Sequence, residues 1–210
     1  MNKIELNWNK ARSMIDDADV LLFRGSGWYS KWIKFASRGE YTHAAIAGWC
    51  SDFLECLEFR EWKGGRATSL RHEVDAMPGE IDVFRLSHYA SMIHYDPVLD
   101  KIITDRVELS STCKRDIVRE MREMLGLDYG WKRIWEMAKQ RLPLARFFFL
   151  PSYDDKAESP SDIYPVCSTA VVGAIRKHYI DIVPNLSDFE VTPSDLARAS
   201  HLNYLFTLVP

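Results

Sequence analysis

The chain is poor in the features that usually give a function away. No apolar run reaches the ~18 residues that a membrane-crossing helix needs, so no transmembrane segment is expected. Neither sign of charge is in excess: 27 Lys and Arg stand against 30 Asp and Glu. There is no polybasic patch for nucleic acid or for an anionic membrane, and nucleic acid is set aside as a partner. Cysteine is sparse. Cys50, Cys56, Cys113 and Cys167 form no C-x-x-C pair and adjoin no His cluster, which indicates neither a zinc site nor a redox motif. No metal and no cofactor is expected. The opening residues, Met-Asn-Lys-Ile-Glu-Leu-Asn-Trp-Asn-Lys, are polar and lack an apolar core with a small-residue cleavage site. A reduced chain in the cytoplasm, without a secretory signal, is the corresponding expectation.

What is present is enough apolar material for a core. With 210 residues, 47% of them hydrophobic, one domain with insertions is the simplest organisation. Residues 3–16 carry a loose helical pattern. Asp19-Val20-Leu21-Leu22-Phe23-Arg24, closed by Gly25-Ser26-Gly27, is a buried strand ending in a turn. Trp28 to Ser37 is amphipathic and stops near Gly39. Tyr41 to Trp49 and Phe53 to Phe59 predict a β-hairpin turning near residues 49–52. Lys63–Leu70 is a turn into another strand and Ile81–Leu86 a further strand, followed by a helix from Ser111 to Leu125 that stops at Gly126. A second helix is expected over 131–141, so residues of about 88–160 form a helical insertion within the single domain 1–210. Leu142–Leu150 is the most apolar stretch, read as core or as a greasy cleft wall or lipid-touching flap. A helix start with Thr192 or Ser194 as cap and a last strand over Tyr204–Val209 complete the chain.

Late in the sequence, Tyr164-Pro165-Val166-Cys167-Ser168 precedes Val171, Val172, Ile175 and Tyr179 at helical spacing. Pro165 holds Tyr164 extended, so Cys167 falls where a loop enters a helix. Free N–H groups and the positive dipole end at such a place favour thiolate over thiol, and the same donors suit an oxyanion. A buried Cys at a helix is more often a small hydrophobe. What singles this one out lies upstream: His43 opens the first strand of the hairpin and Glu55 lies on the second. Thiol, imidazole and carboxylate are the parts of a cysteine hydrolase or transferase, in which the imidazole activates the thiol and protonates the leaving group while the carboxylate orients the imidazole. The other histidines, His72, His88, His94, His178 and His201, open no comparable small-residue strand. Ser168 has no glycine-flanked elbow.

Asp19–Arg24, Tyr41-Thr42-His43-Ala44-Ala45-Ile46, Phe53-Leu54-Glu55, Tyr164–Ser168 and Thr192-Pro193-Ser194-Asp195-Leu196 resemble, in order, the motifs of the circularly permuted papain-like amidases of the YaeF/YiiX type, within the NlpC-like superfamily. His and the polar residue precede the Cys, as in the permuted branch. The offset of Glu55 from His43 is similar to that of the orienting residue in ordinary NlpC-type hairpins, with Glu58 as the fallback. The resemblance implies an α+β, permuted papain-like fold in which the helix carrying Cys167 packs on an antiparallel sheet carrying His43 and Glu55. It implies cleavage of an amide in a peptide, peptidoglycan fragment or acyl-amino acid through an acyl-enzyme, without a metal. Tyr164 and Trp28 are candidates for substrate or oxyanion contacts. Two alternatives remain: a lipid acyl hydrolase or acyltransferase with the same triad, making peripheral lipid contact, and an inactive binding protein. Oligomeric state is not legible.

Overall fold

A computed structural model describes residues 3–26, 39–87, 89–98, 100–129, 166–184, 186–187 and 190–210, with the backbone alone over 89–96 and 102–107. The strands are β1 (Glu5–Asn7), β2 (Val20–Gly25), β3 (His43–Cys50), β4 (Phe53–Arg60), β5 (Gly64–Ser69), β6 (Gly79–Leu86), β7 (Tyr89–Asp96), β8 (Lys101–Glu108) and β9 (Leu202–Val209). The helices are α1 (Trp8–Ala11), α2 (Leu70–Ala76), α3 (Ser111–Glu123), α4 (Cys167–Arg176) and α5 (Pro193–Arg198). The fold is mixed α+β. Seven strands form one sheet in the order β1-β9-β6-β2-β3-β4-β5, and β7 and β8 pair separately. Among the described residues only β1 and β9 run parallel; the other ladders are antiparallel.

β2 is apolar on consecutive residues because both faces of the sheet are covered at its centre. Val20 and Leu22 join Ala44, Ile46, Leu57 and Phe59 on one face, under Ile117, Val118 and Met121 of α3 and Val171, Val172 and Ile175 of α4. Leu21 and Phe23 join Ala45, Ala47, Cys56 and Val83 on the other, with Ala11 of α1 and Leu70 and Val74 of α2. The small residues of β3 let α3 come close. A Cβ at Gly48 would lie 2.7 Å from Val118 Cγ1. Serine and threonine start the later helices: Ser69, Ser110 and Thr192 each accept a first-turn N–H. Thr192 and Asp195 form a reciprocal capping box.

Two expectations need correction. Residues 3–16 are not one helix: Glu5–Asn7 pairs with β9, Asn7 then caps the single turn of α1, and a 3-10 turn follows. The region of about 88–160 is not uniformly helical, since 89–108 is a β-hairpin ahead of α3. β-Branched Ile102, Ile103, Thr104 and Val107 suit a strand. The helices anticipated over 28–37 and 131–141 and the stretch Leu142–Leu150 lie outside the described residues. Among the described residues no helix is long and apolar enough to cross a membrane.

Candidate active site

The segment entering β3 is fixed before the imidazole is reached. Tyr41 donates its backbone N–H to Ser194 Oγ at 3.3 Å, and its hydroxyl donates to Asp82 Oδ2 at 2.6 Å. Thr42 N–H donates to the Phe23 carbonyl at 2.8 Å, and Gly25 N–H to Thr42 Oγ1 at 3.1 Å. Tyr41 and Thr42 come from one motif of the sequence, Phe23 and Ser194 from two others, and together they set the start of β3. His43 follows, only 6% exposed, with its ring packed edge-on to Phe23 at 5.0 Å between centroids.

Register decides which carboxylate meets it. The hairpin turns through Ser51 and Asp52, with Cys50 opposite Phe53, so Ala45 faces Glu58 and Gly48 faces Glu55. Side chains alternate along a strand; Glu58 therefore projects with Ala45 and His43, and Glu55 projects to the opposite face. His43 Nε2 lies 2.7 Å from Glu58 Oε2. Glu55 instead accepts from Arg122 of α3, Nη2 at 2.8 Å and Nε at 3.2 Å. The expected pairing of His43 with Glu55 is thus corrected to His43 with Glu58. The offset from His43 pointed to the right strand and the wrong face.

Glu58 is fully buried, and its other oxygen is tied as well. Oε1 accepts from Arg66 Nε at 2.8 Å and from Arg66 Nη2. The same Nη2 reaches Glu73 Oε1 at 3.1 Å, which also accepts from Thr68 Oγ1 at 3.1 Å. Arg60 stands 3.4 Å from both Glu58 Oε2 and Glu73 Oε2. Burial pushes the Glu58 carboxyl up, but the His43 hydrogen bond and charge, with Arg60 and Arg66, outweigh it and hold it down at about 2. Burial pushes His43 down, yet its hydrogen bond and charge interaction with Cys167, then with Glu58, raise it to about 10. A carboxylate only accepts, so Nε2 carries the proton that Glu58 receives. Nδ1 is the ring nitrogen left for Cys167, the other group that raises His43.

Cys167 is the first residue of α4 and 7% exposed. Val166 ahead of it has no polar side chain, so among the described residues no side-chain cap takes up the N–H groups of the first turn. Thr169 closes the turn locally instead, its hydroxyl accepting from Val166 N–H at 2.9 Å. Since α4 packs on the Ala44 and Ile46 face while His43 and Glu58 project with Ala45, the Cys167 and His43 contact bridges the two sides at the end of β3. Ser168 is not poised for chemistry: its hydroxyl donates to the Val191 carbonyl at 2.6 Å. Tyr164 and Trp28 lie outside the described residues.

On the Glu58 side of the sheet a cavity of about 450 Å³ opens beside His43, with Arg60, Glu61, Lys63, Arg66 and His72 among its walls. Sequence reading missed this wall and the Arg66 and Glu73 network behind it. The available signal was alternation: once the turn is placed at 51–52, Glu58 and Arg66 fall into line with His43.

No protein-family model matches the chain, and no curated protein matches it significantly. Among solved structures it is similar to the crystal structure of metalloprotein yiiX from Escherichia coli O157:H7, DUF1105. The TM-score is 0.61 at 13% identity, covering 93% of this chain and 99% of that one. Among the described residues no three His, Cys, Asp or Glu side chains are grouped so as to hold a metal ion, and no ligand set is assigned. At this identity the likeness speaks for architecture alone, and the chain has a YiiX-like fold: a seven-stranded sheet with a few helices.

Proposed function

We propose that the chain is a cysteine hydrolase of amide bonds on a permuted papain-like, NlpC-like fold, with Cys167 as nucleophile, His43 as acid and base, and Glu58 as the orienting carboxylate. The observation that carries this is the 2.7 Å contact from His43 Nε2 to Glu58 Oε2 on a ring whose other side meets Cys167. The chain order His, Glu, Cys supports the permuted arrangement. Sγ attacks the carbonyl carbon of the substrate, and the N–H groups opening α4 receive the developing oxyanion. Imidazolium Nδ1–H gives its proton to the amine as the C–N bond breaks. Water, losing its proton to Nδ1, then attacks the thioester, expels the thiolate and yields the carboxylic acid. Glu58 stays ionised throughout and holds the ring by Nε2–H.

The test is iodoacetamide labelling at about pH 5.5, where an ordinary thiol near 8.5 barely reacts. Two comparison thiols are poor nucleophiles: burial, then Glu58 and Glu73, pushes Cys56 up, and burial with Asp116 pushes Cys113 up. Labelling confined to Cys167 and lost in His43→Ala is the expected result. Cys167 labelling no faster than Cys50 would remove the nucleophile.

A further inference from the structure

Building on that hydrolase reading, we propose that the cavity beside His43 is the subsite for the leaving amine, and that it recognises a carboxylate carried by that amine, as on an amino acid or peptide. Its position supports the first half. In the reaction above the departing nitrogen must lie next to the imidazole that protonates it, and His43 itself lines the cavity.

The walls support the second half. Arg66 is used up on Glu58 and Glu73. The Arg60 side chain makes ion pairs of 3.4 Å and no hydrogen bond among the described residues, which leaves guanidinium donors for a ligand. The Lys63 ammonium and the His72 ring line the same space, and neither side chain has a hydrogen bond or ion pair among the described residues. Donors of this kind, three residues deep around one void, match a carboxylate. Glu61 is the cavity's unpaired carboxylate among the described residues, so the wall offers both signs. That composition suits a zwitterionic amine product and is a poor lining for an alkyl chain, which would strand these charges away from water.

The experiment follows protection of Cys167 from iodoacetamide at fixed ionic strength by three small probes: N-acetylglycine, N-acetylglycinamide and glycerol 3-phosphate. N-acetylglycine is expected to protect at a concentration about tenfold or more below that of the amide, with Lys63→Glu removing most of the difference. Lys63 is exposed, and His72→Gln serves as a second variant should Lys63→Glu fail to fold. Equal protection by acid and amide, no protection by either, or a carboxylate preference untouched by both variants would overturn the assignment. Protection by the phosphate alone would assign the cavity to a phosphate and overturn the carboxylate. If Cys167 is not selectively labelled in the wild type, the hydrolase reading fails and this inference with it. Selective labelling without carboxylate preference removes only the inference.

Discussion

Glu58 Oε2 is 2.7 Å from His43 Nε2, while Glu55, three residues earlier on the same strand, pairs with Arg122 on the far face of the sheet. The two glutamates therefore make opposite predictions. Glu58→Gln keeps the volume and loses the charge on the ring; Cys167 alkylation at about pH 5.5 is expected to fall by roughly a hundredfold, in the range of general acid and base contributions. Glu55→Gln should leave that rate within about twofold and cost about 1 kcal/mol of stability, as for a part-exposed ion pair. Rates of labelling and urea melts on both variants decide it. The reverse pattern would restore Glu55 as the orienting residue.

Arg66 touches no reacting atom, but it forks onto Glu58 Oε1 and leaves only Oε2 for the imidazole. It acts as a positioning residue. Without that cation Glu58 loses one of the charges that, after His43 and Arg60, hold its carboxyl down, and its pKa rises. The acid limb of Cys167 labelling should then move up by about one pH unit or more in Arg66→Gln, and partly return in Arg66→Lys. A merely structural role would lower the melting temperature and leave the pH profile in place.

Much of this was legible from the residues, for reasons that differ by element. β2 declared itself through Val20-Leu21-Leu22-Phe23, and the β3 and β4 hairpin through its apolar runs, because burial on two faces leaves a continuous signal. Cys167 was legible as a loop-to-helix position from Pro165 and the spacing of Val171 and Ile175. The identity of the carboxylate was not, because a one-residue change of register flips every side chain across the sheet. Only the turn at Ser51 and Asp52, with Ser51 at φ 54, settles it. The first strand hid for another reason: Glu5–Asn7 is held by a partner just over 200 residues away, and no local pattern encodes that pairing.

The charged pair also sets a pH window for stability. His43 is raised from 6.5 to about 10, so its contribution is full below 6.5 and is lost as pH rises through about 10. Glu58 is lowered from 4.5 to about 2, so its contribution is full above 4.5 and is lost as pH falls through about 2. Both are complete between 4.5 and 6.5. The difference in melting temperature between wild type and Glu58→Gln should be greatest in that interval and shrink on either side. A difference that stays flat from acid to alkaline pH would mean the pair is not ionised in the folded protein.

Gly48 tests how α3 is seated over β3. It faces Glu55 across the hairpin, and an added Cβ would fall 2.7 Å from Val118 Cγ1 and 3.2 Å from Leu57 Cδ1. Both neighbours are buried in the core on that side, so neither can swing into solvent. Gly48→Ala should cost about 1–3 kcal/mol by overpacking, seen as a lower urea midpoint at unchanged slope. Val118→Ala alone should also destabilise, by leaving a void. Combined, the two changes relieve each other. The double variant should be more stable than the summed losses imply, by about 1 kcal/mol, as contacting residues couple. Simple additivity would place α3 further from β3 than this packing requires.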